Sequence, residues 1–164
     1  MSFGIKSSII NSGISKKLVK EEITMIQLIV GAKGKGKTKH LLEKVNAAAK
    51  TSNGNIVYLD KNSKHMYELS NKIRLINASE FPLSSEDEFV GFVCGIVSQD
   101  HDLEQVYFDS FMDVAYIKER TRTEDVIKKL DKISEQFKVD FVISVSLDAS
   151  ELSEYLKSKV IVSL

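Results

Sequence analysis

The sequence contains little cysteine and proline, no tryptophan, and no excess of charge of either sign. Cys94 is the only cysteine among 164 residues, which excludes a disulfide within the chain and a zinc site made of several cysteines. Lysine and arginine total 23, as do aspartate and glutamate, so no net positive field attracts nucleic acid or an anionic membrane. No apolar run approaches the roughly 20 residues that cross a bilayer. We therefore expect a cytoplasmic globular protein.

The first 24 residues differ from the rest of the chain. They are rich in serine, lysine and isoleucine, and they lack the long apolar segment of a secretory signal. We expect residues 1–24 to form a loosely ordered arm, or else the natural protein to start at Met25. Residues 25–164 are expected to form one domain.

Strand-like and helix-like segments alternate from Met25 onward. Strands are predicted at residues 25–30, 56–59, 73–76, 105–109, 139–145 and 159–162, with helices at 38–50, 63–71 and 150–157 and two more beginning after Ser85 and Thr121. Strands separated by helices favour right-handed crossovers and a parallel sheet. The prediction is a three-layer α/β/α fold with a mainly parallel sheet.

Two of these helices carry detailed expectations. Gly91 and Gly95 lie one turn apart and are expected to let the helix after Ser85 pack closely against the sheet, with Cys94 buried and inert. Ser85 is expected to cap this helix, because Glu88 follows three residues later. Thr121 is expected to cap the next helix, which would bury Val126, Leu130 and Phe137.

The strongest motif is a phosphate-binding loop at residues 31–38, which matches G-x-x-x-x-G-K-[ST] at every fixed position. Glycines let backbone N–H groups curl around a β-phosphate, while Lys37 reaches the β- and γ-phosphates and the Thr38 hydroxyl binds Mg²⁺. The strand before the loop and the helix after it are the context that the motif requires. The expected nucleotide-binding residues are Gly31, Lys33, Gly34, Lys35, Gly36, Lys37, Thr38 and Lys39.

An acidic partner for this loop is expected at the carboxyl end of a neighbouring strand, where ligands bind in open α/β sheets. Asp109 follows an apolar strand and is the predicted second magnesium-binding residue, with Asp113 a weaker candidate. Three histidines, His40, His65 and His101, show no metal-like spacing, so surface roles are expected for all of them.

With these motifs in this order, residues 25–147 resemble the RecA-like P-loop ATPases. The chain also resembles small stand-alone bacterial P-loop proteins labelled twitching-motility ATPase-like. The family resemblance implies a glutamate near the end of the second strand that activates water, but this chain has Asn62 there. Some related ATPases instead place the glutamate directly after the aspartate that corresponds to Asp109, where this chain has Ser110. Neither side chain accepts a proton at neutral pH, so Asp60 is the substitute base, alongside Lys37 as the other catalytic residue. Slow hydrolysis is expected.

The resemblance also implies a residue that senses the γ-phosphate after the next strand and, in some members, an arginine acting across a subunit interface. Candidates for the sensor are Ser144, Ser146 and Asp148, of which the sequence does not select one. Arg120 and Arg122 are candidate arginine fingers, or simply exposed arginines at a helix start.

Three functions remain open at this point. The leading one is an ATP- and Mg²⁺-binding switch or a weak ATPase that a protein partner stimulates; whether the chain is an enzyme stays undecided. The alternative is a P-loop kinase for a small molecule, with Asp60 as base, and the third is an interaction protein with a degenerate site. GTP is less favoured than ATP because no Asn-Lys-x-Asp motif is present. A homo-oligomer is compatible with the sequence, and no stripe of basic and aromatic residues indicates nucleic-acid binding.

Overall fold

A computed structural model describes residues 25–164, so the predicted arm at residues 1–24 lies outside the described residues. The strands are β1 (Ile26–Val30), β2 (Asn55–Asp60), β3 (Ile73–Asn77), β4 (Leu103–Phe108), β5 (Asp140–Val145) and β6 (Val160–Ser163). The α-helices are α1 (Lys37–Thr51), α2 (Glu86–Ser98), α3 (Phe111–Val114), α4 (Thr123–Phe137) and α5 (Glu154–Lys157). Short 3₁₀ turns occur at Met66–Glu68, Ala78–Glu80, Arg120–Arg122 and Ala149–Glu151.

The six strands form one sheet in the order β3-β2-β4-β5-β1-β6, and every neighbouring pair is parallel. The predicted mainly parallel sheet is therefore confirmed, and it is parallel throughout. Strand β5 lies between β1 and β4, so the loop after β1 and the residues after β4 flank the end of β5. This strand order determines which side chains meet at the carboxyl edge of the sheet.

Helices cover both faces of the sheet, as the three-layer prediction requires. On one face, Leu41 and Val45 of α1 pack against Tyr58 and Tyr107 of the sheet. On the other face, α2 and α4 cover a larger core that contains the aromatic residues Phe89, Phe108, Phe111 and Phe141. The central strands are nearly continuously apolar because both of their faces are buried.

The start of α4 differs from the prediction. The helix begins at Thr123 after the turn Arg120–Arg122. No side chain in the described part of the chain caps its amino end, so Thr121 is not the cap. Phe137 is 37% exposed at the end of this helix rather than buried, although Val126 and Leu130 lie in the core as expected. A one-turn 3₁₀ segment shifts the helix start, which sequence periodicity does not reveal.

The two glycines of α2 also differ from the prediction. A Cβ atom added to Gly91 or Gly95 would meet no atom of another described element within 4 Å, so neither glycine allows a close approach to the sheet. Cys94 is half-buried and packs at the edge of the larger core. In contrast, Ser85 caps α2 as predicted, since its hydroxyl accepts the Glu88 N–H.

Two predicted helices are shorter than expected. Residues 63–71 contain only the 3₁₀ turn Met66–Glu68, and residues 150–157 divide into the turn Ala149–Glu151 and the single helical turn of α5. Within residues 25–164, no helix is both long enough and apolar enough to cross a bilayer.

Candidate functional site

A cleft of about 860 Å³ opens at the carboxyl edge of the sheet, beside the ends of β4 and β5. The loop between β1 and α1 forms one wall, and the residues after β4 form the opposite one. Polar or charged side chains in the wall include Lys37, Thr38, Lys61, His65, Asp109, Asp113, Lys118, Arg120, Ser144 and Ser146. The cleft therefore lies where the strand order predicts a ligand site.

The wall nearest β1 consists of the glycine-rich loop. Gly34 and Gly36 have φ angles of 87° and 91°, a region that residues with a side chain adopt only with strain. Gly36 immediately precedes α1, and no side chain within residues 25–164 caps that helix. The unpaired N–H groups and the positive end of the helix dipole thus remain available to an anion in the cleft.

Lys37 lies largely inside this loop, with 9% of its surface exposed. Its Nζ donates to the carbonyl oxygens of Gly31, at 2.9 Å, and Ala32, at 3.1 Å. Burial lowers the pKa of Lys37, and the charge of Asp109 opposes that shift. The ammonium group is thus held by two carbonyl oxygens, which a phosphate group could replace.

Asp109 is the polar centre of the site and is only 3% exposed. Its Oδ1 accepts hydrogen bonds from the Thr38 hydroxyl at 3.1 Å, the Ser144 hydroxyl at 3.1 Å and the Ser110 N–H at 2.8 Å. Its Oδ2 accepts the Tyr58 hydroxyl at 2.7 Å. Of the three sensor candidates, Ser144 is thus the one bonded to Asp109, while Asp148 caps the turn Ala149–Glu151.

The pair Thr38 and Asp109 fits a magnesium ion. Mg²⁺ prefers hard oxygen ligands, usually one or two from the protein together with water and phosphate oxygens. A hydroxyl and a carboxylate oxygen only 3.1 Å apart, at the edge of an open cleft, supply that donor set.

Asp60 is buried next to Asp109 and is 3% exposed. Burial, and then the negative charge of Asp109, raise the pKa of Asp60 above its usual value. The residue does not belong to the cleft wall, whereas its neighbour Lys61 does. Asn62 points elsewhere and accepts the N–H of Lys64. The charge of Asp60 therefore acts on Asp109, but its side chain is poorly placed to contact a ligand in the cleft directly.

His65 is the residue that the sequence interpretation missed. It lines the cleft, and its ring forms a group with Asp60 and Asp109 in which the ligand atoms lie within 4.8 Å of one another. Metal ligands are commonly sought in sequence at short regular spacings. Asp60 and His65 lie close together at the end of β2, but Asp109 follows β4 and is distant in sequence. Only the pairing of β2 with β4 brings the three together.

The remaining lysines of the loop are exposed. Of Lys33, Lys35 and Lys39, only Lys33 lines the cleft. The two arginines after β4 both form ion pairs: Arg120 donates to Glu151 and to the carbonyl of Ser146. Arg122 donates to Glu86 and Asp125 on the neighbouring helices α2 and α4. Of these two, Arg120 alone faces the cleft.

No family model matches the chain, and no curated protein matches it. Solved structures do resemble it. A KaiC-like protein of the archaeon Pyrococcus horikoshii superposes with a TM-score of 0.56 and 20% identity over 80% of this chain and 66% of that one. The flagellar accessory protein FlaH of Methanocaldococcus jannaschii gives a TM-score of 0.53 and 13% identity over 82% of this chain and 65% of that one.

These likenesses show the fold alone, since both identities are low and the chain spans about two thirds of each neighbour's length. Together with the all-parallel sheet they identify a RecA-like P-loop fold. The resemblance to twitching-motility ATPase-like proteins stays a prediction.

Proposed function

We propose that the protein binds ATP with Mg²⁺ in the cleft and acts as a nucleotide-dependent switch with slow hydrolysis, which a protein partner stimulates. The observation that carries this proposal is the 3.1 Å hydrogen bond from the Thr38 hydroxyl to Asp109 Oδ1. It joins the end of the glycine-rich loop to the end of β4, across 71 residues of sequence. Thr38 and Asp109 can both supply an oxygen ligand to a metal ion. They meet beside the buried Lys37 and the amino end of α1, which has no side-chain cap in the described residues.

The loop residues would bind the phosphates in a defined way. Backbone N–H groups around Gly34 and Gly36 and the start of α1 would surround the β-phosphate. Lys37 would exchange its two carbonyl partners for β- and γ-phosphate oxygens, which are stronger acceptors. Thr38 and Asp109 would hold the metal ion, whose contribution is to neutralise charge on the phosphates. The triphosphate would also be attracted by the exposed lysines of the loop region, Lys33, Lys35 and Lys39.

Slow turnover follows from the positions of the carboxylates. A general base must lie within hydrogen-bond reach of the attacking water, directly or through one further water. Asp109 is occupied by four hydrogen bonds, and Asp60 lies behind it, outside the wall of the cleft. Asp60 would therefore accept a proton only through a relay, for which His65 is available because it lines the cleft and lies within 4.8 Å of Asp60.

A switch is supported by an ion pair in the wall of the cleft. The ammonium group of Lys61 lies 2.9 Å from Asp113, both residues line the cleft, and both side chains are about half-exposed. A γ-phosphate would offer Lys61 a partner of higher charge, and the segment after β2 would move with it. That segment carries Tyr67, whose surface is 92% exposed and thus available to a partner.

The kinase interpretation has less support. It requires Asp60 to remove a proton from an acceptor hydroxyl, but Asp60 is buried and absent from the cleft wall. Product analysis would nevertheless reveal such a reaction, because a phosphorylated acceptor would replace free phosphate.

The test mixes excess protein and MgCl₂ with trace labelled ATP, isolates the bound fraction and separates its nucleotides over one hour. We expect ATP to bind and to stay largely unchanged. Release of ADP within seconds would contradict slow turnover, and absence of binding in equilibrium titrations at high protein concentration would contradict the proposal itself.

A matched pair of lysine variants localises the binding. Lys37→Ala removes the phosphate-binding ammonium group, whereas Lys50→Ala removes an exposed one from the last turn of the same helix. We expect loss of ATP binding only for Lys37→Ala. Equal binding by both variants would place the nucleotide elsewhere.

A further inference from the structure

Two buried carboxylates lie side by side next to the cleft. Asp60 ends β2 and Asp109 follows β4, and each is 3% exposed. Both carboxylates are almost fully removed from solvent, and their ligand atoms lie within 4.8 Å of each other in a group with His65. Two such groups remain ionised together only where positive charge or many hydrogen bonds compensate them.

The hydrogen bonds are unevenly divided between these two residues. Asp109 accepts four, whereas in the described part of the chain the Asp60 carboxylate accepts one, from the Lys61 N–H at 2.7 Å. Lys61 itself points to Asp113 rather than to Asp60. Asp60 is thus a buried carboxylate with unused acceptor capacity, directed to the same place as Asp109 and His65.

The imidazole of His65 has a carboxylate partner, as metal-binding histidines commonly do. Its Nδ1 is hydrogen-bonded to Glu68, which lies one turn later in the 3₁₀ segment Met66–Glu68. A carboxylate that holds one ring nitrogen fixes the tautomer and makes the other nitrogen, here Nε2, a better ligand. The side chain of His65 is 23% exposed and reaches the cleft, so an ion has a route to the group from solvent.

We propose that Asp60, His65 and Asp109 form a binding site for a divalent transition-metal ion of the Mn²⁺ or Zn²⁺ type. Magnesium takes oxygen ligands, whereas imidazole together with carboxylates favours such transition metals. The ion would neutralise the two buried carboxylates. The site is distinct from the proposed magnesium position at Thr38, although both use Asp109, and it needs no nucleotide.

The test uses Mn²⁺ itself, with the full chain free of nucleotide. Electron paramagnetic resonance of free Mn²⁺ during a titration measures how much is bound, and spin-echo modulation of the bound ion detects a ligand nitrogen. We expect one tightly bound Mn²⁺ that shows nitrogen modulation and persists in excess Mg²⁺. Binding without nitrogen modulation, or complete displacement by equal Mg²⁺, would overturn the proposal.

Histidine variants provide the control. His65→Ala should abolish nitrogen modulation and weaken Mn²⁺ binding more than about 100-fold, whereas the exposed His101→Ala should change neither. Glu68→Gln, which changes only the charge of the group bonded to His65 Nδ1, should weaken binding by about tenfold through the orientation of His65. Equal affinities of the wild type and His65→Ala would refute the site. Because no nucleotide is present, these results are independent of whether ATP binds.

Discussion

The hydroxyl of Tyr58 donates a 2.7 Å hydrogen bond to Oδ2 of Asp109, from the strand next to the one that precedes the aspartate. Tyr58 is completely buried, and burial, followed by the charge of Asp109, raises its pKa well above the ordinary value. The phenol therefore stays protonated and donates at any physiological pH. This bond fixes one carboxylate oxygen, so that the other faces Thr38 and Ser144.

Replacing Tyr58 by phenylalanine keeps the packed ring and removes only this donor. Since a hydrogen bond to a charged group contributes about 1.5–3 kcal/mol, we expect Tyr58→Phe to lower the free energy of unfolding by that amount. Urea unfolding at pH 7 measures it. The control is Tyr107→Phe, which removes a buried hydroxyl bonded to the neutral amide oxygen of Gln105, with an expected loss of about 1 kcal/mol. Equal losses for the two variants would contradict a stronger hydrogen bond to the Asp109 carboxylate than to the Gln105 amide.

Much of the fold could be predicted from local patterns. The apolar run before Gly31 and the amphipathic helix after Lys37 define a strand, a loop and a helix without further information. The alternation that continues to the last strand then leaves few topologies, because parallel crossovers are right-handed. Ser85 was also predictable as a helix cap, because its signal is local and contained within the four residues from Ser85 to Glu88.

Features that depend on contacts between strands could not be predicted in this way. Tyr58 sits within an apolar strand sequence, and nothing local indicates that its hydroxyl reaches Asp109. His65 belongs to the candidate site only because β2 and β4 are neighbours. Thr121 has the sequence signal of a helix cap, but an extra 3₁₀ turn moves the start of α4 beyond it.

The hydroxyl of Thr38 is expected to make ATP binding dependent on magnesium. Thr38→Ala should lower ATP affinity in the presence of Mg²⁺ by about 10- to 100-fold, the equivalent of one lost interaction with a charged group. Calorimetric titration with and without Mg²⁺ measures the difference. Thr38→Ser restores the hydroxyl and should restore the affinity, and Thr51→Ala, at the end of the same helix, should have no effect. A magnesium effect that survives in Thr38→Ala would remove this residue from the metal site.

Gly36 and Gly91 isolate the effect of backbone conformation on stability, because an added side chain would be crowded at neither position. An added Cβ has open space at both Gly36 and Gly91, but Gly36 has a φ of 91° whereas Gly91 lies within helix α2. Gly36→Ala should therefore destabilise the protein by about 1–2 kcal/mol and distort the phosphate loop. Gly91→Ala should stabilise it by about 0.5–1 kcal/mol, since alanine favours the helix. Thermal unfolding of both variants decides; a destabilised Gly91→Ala would mean that α2 needs the glycine for another contact.

Asp140 lies far from the cleft, at the start of β5. It makes folding stability depend on pH with a sign opposite to that expected for most carboxylates. Burial and the nearby charge of Glu104 raise its pKa to about 6, and Lys44 only partly opposes the shift. Between about pH 4 and pH 6 the unfolded chain loses this proton while the folded one retains it. Folding stability thus falls as pH rises through this window, and the loss is complete above it.

Asp140→Asn removes that loss, because an amide carries no charge at any pH. We expect the variant and the wild type to have similar free energies of unfolding near pH 4. The variant should become more stable by about 1 kcal/mol above pH 6, a value kept small because solvent screens this half-buried group. Urea unfolding from pH 4 to pH 8 measures both curves, with the exposed Asp102→Asn as a control that should run parallel to the wild type. A wild type that is the more stable protein at pH 7 would show that Asp140 gains more from Lys44 than it loses by burial.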